Sequence, residues 1–443
     1  MSSEKRVKLS RVLCLGYLLV FFLTQYMVFG YERFPDTIHL ENFSHDVYPL
    51  YSLALYLFRT VFGVDTGYYL LGLLQNVLLA LCIFALTDYL RRAFALSGFV
   101  FWGASAAVAL MFLVQRWATV TGSISSNTLF SEAFAIPFYL MFFRYALEAF
   151  LERGWKPFLL SCFWAAMLIL TRGQFYWVLA IVCLNGMRLE GFTGRKAFFC
   201  SFLACAAVFL TVQGARYLQT QLYRDDQTKN PANLIVLTTA VYCSEKDDYL
   251  LFDEGSGERE LLEEVRPWMD KTQNPVAFSY ETGGLIERHK LFETEYDGLK
   301  DVIKAAYNQI TADGTELSLG NVTKELILAN FASFALHCLQ NGWVGLVRTA
   351  ALLRPGLDVY ALILYLTMLL LAVTQRGPVF KPISRFLCLG LLCSLLNAAV
   401  IAPGVFAQSR YVFYNMPILY LGLGVYLVKA GSLLANKLLT REK

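Results

Sequence analysis

The chain has 443 residues, of which 57% are hydrophobic and only 16% charged, and its mean hydropathy is +0.49. Soluble globular chains are about 45–50% apolar and about 25% charged, so the composition excludes an ordinary soluble domain and points toward lipid. The net charge of +4 is ordinary for a membrane protein, whose basic residues gather on one side, and it indicates no nucleic-acid partner.

The apolar residues fall in runs of about 20, long enough to cross a hydrocarbon core of about 30 Å. Ten spans are expected, over 9–30, 69–90, 98–115, 127–148, 157–171, 174–187, 197–216, 358–375, 384–403 and 411–430. The first follows Lys5, Arg6, Lys8 and Arg11 and is read as an uncleaved span with a cytoplasmic N-terminus. The fifth and sixth are short, which suits tilted helices or a helical hairpin. Loops on the proposed inner side hold seventeen Lys and Arg residues, whereas the short outer loops hold five: Arg33, Arg59, Arg116, Arg172 and Arg410. That bias sets both termini in the cytoplasm. The expectation is an all-α polytopic protein of the cell membrane.

The loop 31–67 reads YERFPDTIHLENFSHDVYPLYSLALYLFRTVFGVDTG, an acidic, aromatic and histidine-bearing half followed by an apolar half. Residues 50–63 form too short a run to cross and carry Arg59, so they are read as an interfacial helix. A crossing there would invert every later loop and put the basic bias on the wrong side. The one sizeable hydrophilic region, 217–356, contains DEGSGERELLEE and closes on the amphipathic stretch 324–347, suited to packing on the membrane face. The expected divisions are a transmembrane module 1–216 with its outer loop, a small helical extracytoplasmic region 217–356, and C-terminal spans 357–443. Of ten cysteines, only Cys243 and Cys338 lie away from spans; they are placed to pair in an oxidising compartment. No metal-binding motif is present, so no metal or other cofactor is expected.

Arg116, Arg172 and Arg410 sit at outer ends of spans, against the charge trend. Charges at that depth usually face a cavity or a partner, and a guanidinium fork matches phosphate oxygens; the plainer alternative is snorkelling to head groups. Four carboxylates accompany them: Asp36, Glu41, Asp46 and Glu132. One carboxylate near a bound acceptor can act as general base for glycosyl transfer, although a loop carboxylate can equally be solvated or cap a helix. Glu132 lies about a turn inside its span, where a charge meets a cation or lines a cavity. His39 and His45 flank the acidic half and, with the carboxylates, offer a divalent-cation alternative that nothing else in the sequence supports.

These features together resemble the GT-C class of lipid-dependent membrane glycosyltransferases, particularly bacterial relatives of the protein mannosyltransferases and of the lipid A aminoarabinose transferases. Phe34-Pro35-Asp36-Thr37 resembles the acidic motif of the first outer loop, and Ser44-His45-Asp46-Val47-Tyr48-Pro49-Leu50-Tyr51 the HPPLY-like stretch that follows. Ser131-Glu132 is similar to the acidic opening of the fourth span, Thr171-Arg172-Gly173 to a Thr-Arg-Pro, and Ser409-Arg410-Tyr411 with Pro417 to the late Arg-Tyr pair. The resemblance covers most of 9–216 and 358–430. Two departures are that Asp36 is followed by Thr rather than Glu and that Asp46 stands where the second motif has proline.

What the resemblance implies is inverting transfer of a sugar from a polyprenyl-phosphate donor to a hydroxyl on a cell-envelope glycan, lipid or protein at the outer membrane face. Asp36 would be the base, with Asp46 as the alternative. Arg172 and Arg410, with Tyr411 and His45, would bind the lipid phosphate and substrate, and Glu132 would orient a group in the cavity. Two other classes remain: a transporter or flippase of an envelope glycan, for which Gln75, Asn76 and Asn397 inside spans speak but no internal repeat does, and a non-catalytic membrane assembly protein.

Overall fold

The computed structural model describes residues 3–33, 37, 40–41, 47–118, 125–222, 233–271, 285–312, 314–351, 357–375, 377–405, 407 and 409–441. Among them there is no strand, only an isolated bridge between Glu32 and Thr128. The helices in chain order are α1 Ser3–Phe29, α2 Pro49–Phe62, α3 Val64–Ala93, α4 Gly98–Ala118, α5 Glu132–Glu152, α6 Trp155–Thr171, α7 Val178–Gly186, α8 Gly194–Leu222 and α9 Leu234–Tyr242. They continue as α10 Gly257–Lys271, α11 Leu285–Ala312, α12 Leu319–Ala329, α13 Phe331–Ala350, α14 Leu357–Thr374, α15 Lys381–Ile401, α16 Ser409–Val412 and α17 Met416–Arg441.

Eight of these (α1, α3, α4, α5, α8, α14, α15 and α17) are long and apolar enough to cross a membrane. The protein is therefore an all-α, multi-pass membrane protein. The two expected short spans are α6 and the unit made by the 3-10 turn Gly173–Trp177 and α7. The expected amphipathic stretch 324–347 is not one helix: α12 and α13 meet at 95°. Asn330 makes the break, its amide donating to the Leu326 carbonyl at 3.2 Å and to the Asp248 carboxylate at 2.6 Å. By length and apolarity the bent pair is a ninth candidate crossing. The fourth span also begins later than expected, at Glu132 rather than 127, because 125–131 is spent on a 3-10 turn and bend.

The chain divides into two compact units. The first comprises Met1–Asp225, Leu364–Cys393 and Phe413–Lys443. Within it α1 packs on α3, α2 on α3, and α5 against both α3 and α6. α2 is 14 residues long, starts on Pro49 and buries Tyr51, Ser52 and Leu55 on one face. Gly63, at φ +81°, turns the chain from α2 directly into α3, a conformation that costs glycine little. At one end of the unit Asp88 accepts from Arg11 at 3.0 Å and Arg91 at 3.1 Å and pairs with Arg92 at 3.3 Å, tying α1 to α3.

The second unit comprises Asp226–Ile363 and Ser394–Val412 and has its own apolar core, including Leu237, Leu262, Val265, Ile303, Val322 and Leu326. His337 is buried there between Tyr242 and Phe292. Asn341 donates to the carbonyls of Ala402 and Val405 at 2.9 and 2.8 Å and accepts from the Ala407 amide at 3.0 Å, while buried Arg348 donates to the Ala407 carbonyl at 2.6 Å. Those bonds fix the turn that leads into α16. Cys243 and Cys338 are free thiols. Burial, and then the neighbouring Cys338, push the Cys243 thiol above its ordinary range.

Candidate functional site

At one end of the first unit, the loop after α1 meets the turn before α5. The Glu32 amide donates to the Asn127 carbonyl at 2.9 Å, and the Leu129 amide donates to the Glu32 carbonyl at 3.0 Å. Thr37, the residue after Asp36 in sequence, is fully buried and donates from its hydroxyl to the Leu129 carbonyl at 3.2 Å. Beneath the turn lies a closed amide network. Gln25 donates to Asn76 at 2.6 Å and to Asn127 at 2.8 Å, and Asn127 donates back to Gln25 at 3.0 Å. Asn76 donates to Asn127 at 3.0 Å and to the Ser126 carbonyl at 3.1 Å, and Gln75 donates to the Thr128 carbonyl at 3.1 Å. Polar groups without water must satisfy one another, so the turn's shape follows from side chains on α1 and α3.

Glu132 opens α5 from this turn and is buried, at 5% exposure. It pairs with Arg172, which stands in extended conformation where α6 breaks into the Gly173–Trp177 turn. Ser131 donates to the same carboxylate at 3.3 Å. The residue after Arg172 is glycine for a steric reason: a Cβ at 173 would overlap the phenol ring of Tyr48. Tyr48 comes from the loop between α1 and α2, just before α2, and the Arg216 guanidinium lies 4.8 Å from its ring centroid. Gln219 of α8 donates to the Val47 carbonyl at 3.0 Å, holding the same segment. Burial pushes the Tyr48 phenol up to about 12, against the pull of Arg216. Tyr51, one turn into α2, accepts from Gln75 at 3.4 Å; burial first, and Glu132 among the remaining causes, raise its phenol well above the ordinary value.

Two further carboxylates complete this end. Glu41, 8% exposed, accepts from Arg33 at 2.7 Å and pairs with Arg59 of α2 at 3.7 Å. Glu32 is half-buried; burial raises its carboxyl above the ordinary range while Arg116 pulls it down. Arg116 in turn lies over the Phe29 ring, 3.6 Å from its centroid. Among the described residues this end therefore gathers five arginines (33, 59, 116, 172 and 216) around three glutamates (32, 41 and 132), an excess of positive charge. Such a setting suits phosphate oxygens.

Of the residues expected to form the site, Asp36, Asp46 and His45, together with His39, lie outside the described residues. Glu132 and Arg172 are brought together. Arg410 and Tyr411 belong to the second unit, where Arg410 donates to the Tyr411 hydroxyl at 2.8 Å and Asn397 donates to the Tyr411 carbonyl at 2.9 Å. Sequence reasoning missed Glu32, Tyr48, Gln25 and Arg216. The available signals were a glutamine inside the last third of α1 and an arginine near the end of α8, at the predicted limit of that span. Among the described residues no three His, Cys, Asp or Glu side chains are grouped as metal ligands would be.

The chain matches no family model, and neither a curated protein nor a solved structure is significantly similar to it.

Proposed function

We propose that this protein is a membrane glycosyltransferase of GT-C type. It moves a sugar from a polyprenyl-phosphate donor to a hydroxyl acceptor of the cell envelope, at the outer face of the membrane. The observation that carries the reading is the buried Glu132–Arg172 pair standing beside the turn to which Glu32 and Thr37 of the first outer loop are bonded. Two of the motifs that suggested the family from sequence, those of Glu132 and Arg172, are paired with each other, which supports the reading.

In this reading Asp36 or Asp46 removes the proton of the acceptor hydroxyl as the hydroxyl oxygen attacks the anomeric carbon. The polyprenyl phosphate departs, and its developing negative charge is met by Arg172. Glu132 already engages a guanidinium, so its part is to fix the fork of Arg172 toward the phosphate. His45 takes part in binding the substrate in this reading.

The test is transfer by the purified chain in lipid with a polyprenyl-phosphate-linked sugar and envelope glycan or lipid as acceptor, reading release of polyprenyl phosphate. Asp36→Asn or Asp46→Asn lowers transfer about 10²–10⁴-fold, as removal of a general base does. Full transfer by both variants would remove the base assignment. Lipid-linked sugar that crosses the bilayer unhydrolysed would replace the enzyme by a flippase.

A further inference from the structure

Three arginines of the first unit stand outside the ion pairs found at the Glu132 end and around Asp88, although Glu152 and Glu190 adjoin two of them in the chain. Arg153 ends α5 in the left-handed region, at φ +58°. Arg188 follows α7, and Arg385 lies in the first turn of α15. The turns carrying the first two interlock: the Glu190 amide donates to the Arg153 carbonyl at 3.0 Å, and Trp155 packs edge-on against Phe192 at 5.3 Å. The Arg188 guanidinium lies over Phe150, 4.1 Å from the ring centroid, which holds it beside the end of α5. Phe386, next to Arg385, stacks on Phe94 at 5.8 Å and meets Phe143 of α5 at 5.7 Å. None of the three arginines makes an ion pair among the described residues, and the Arg188 Nε is buried with no hydrogen-bond acceptor.

We propose that Arg153, Arg188 and Arg385 form a binding site for one phosphate-bearing anion at the inner membrane surface, separate from the glycosyl-transfer site. The buried Arg188 Nε is a donor without an acceptor, and guanidinium forks match phosphate oxygens two at a time. The electrostatics agree with this placement. Burial holds Arg188 below its ordinary value, and the two charges that lower it further are Arg385 and Arg153. A bound anion would neutralise this mutual repulsion. All three lie in loops that the basic bias assigns to the cytoplasmic side. An anionic phospholipid headgroup is the nearest phosphate there, and free phosphate in the cytoplasm is the other source.

The experiment titrates the full chain in neutral detergent with phosphatidylglycerol, phosphatidylcholine or inorganic phosphate, and counts bound molecules by native mass spectrometry. One phosphatidylglycerol is expected to saturate the wild type where phosphatidylcholine does not. Arg153→Gln, Arg188→Gln and Arg385→Gln each raise the half-saturating concentration about fivefold. Arg153→Gln changes an exposed side chain and keeps the comparison alive if the combined variant does not fold. Saturation by inorganic phosphate through the same arginines would keep the site and make free phosphate its ligand. Equal retention of the two phospholipids with no phosphate binding would overturn it. So would a Lys5→Gln/Arg6→Gln variant that weakens binding as much as the triple variant, because that would reduce the effect to diffuse surface charge.

Discussion

Arg172 and Arg188 occupy similar places in the chain, each just beyond the end of a short apolar helix of the first unit, yet their surroundings are opposite. Arg172 meets Glu132, and both side chains are largely shielded from solvent. Arg188 meets the face of Phe150 and two other arginines. A buried pair contributes little net stability but makes the loss of either partner expensive. A guanidinium held among like charges contributes nothing by itself, and its retention is informative for that reason. One arrangement joins opposite charges within the chain, and the other sets a cation against an aromatic ring and like charges.

The comparison is broken most forcefully at the paired end. Glu132→Ala leaves the Arg172 charge buried and uncompensated, and unfolding in detergent should register a loss of about 3–5 kcal/mol. A loss under about 1 kcal/mol would mean that water reaches Arg172 freely. Next in size is Asn127→Ala, which leaves the buried Gln25 carbonyl without its donor and takes one acceptor each from the Gln25 and Asn76 amides; the expected cost is about 1–3 kcal/mol, read in the same unfolding assay. Arg188→Gln is the counterpart. In uncharged detergent it trades a cation–π contact against relief of repulsion and should alter stability by less than about 1 kcal/mol.

The smallest effect concerns Glu32. Its folded carboxyl titrates above the unfolded one, so the folded state binds the proton more tightly. Stability therefore falls as pH rises from the unfolded value through the folded one. Glu32→Gln should be more stable than wild type at neutral pH, and the difference should close as the pH is lowered below the ordinary glutamate range. Thermal unfolding at two pH values decides this, and a gap that does not narrow would place the burial penalty elsewhere.

How far the sequence carries can be judged from these same residues. The long helices were legible because runs of about 20 apolar residues have few alternatives. The short helix α2 was legible because Arg59 and its length exclude a crossing. The depth of Glu132 in its span required a cation or a cavity, but the identity of the cation depends on how α6 breaks, which hydropathy does not encode. The start of α5 was displaced because Asn127 and Thr128 are engaged by Gln25, Asn76 and Gln75, contacts between segments far apart in the chain. Local propensity gives no hint of such a tertiary demand. The glycine at 173 is likewise unreadable without Tyr48, whose ring occupies the space a side chain there would need. The convergence of Arg153, Arg188 and Arg385 was hidden in the basic bias, where they counted merely as three more positive residues.

The amide network has a bearing on biosynthesis. Gln25, Asn76 and Asn127 leave the ribosome in that order, each in a different segment, and the amide of Asn127 finds its partners only after α1 and α3 have docked. Until then, three carboxamides stand in lipid at a cost of several kcal/mol for each unsatisfied group. A nascent chain that inserts α3 without α1 is thus unable to close the turn before α5. The network that shapes this end of the unit depends on the entry of its first helix.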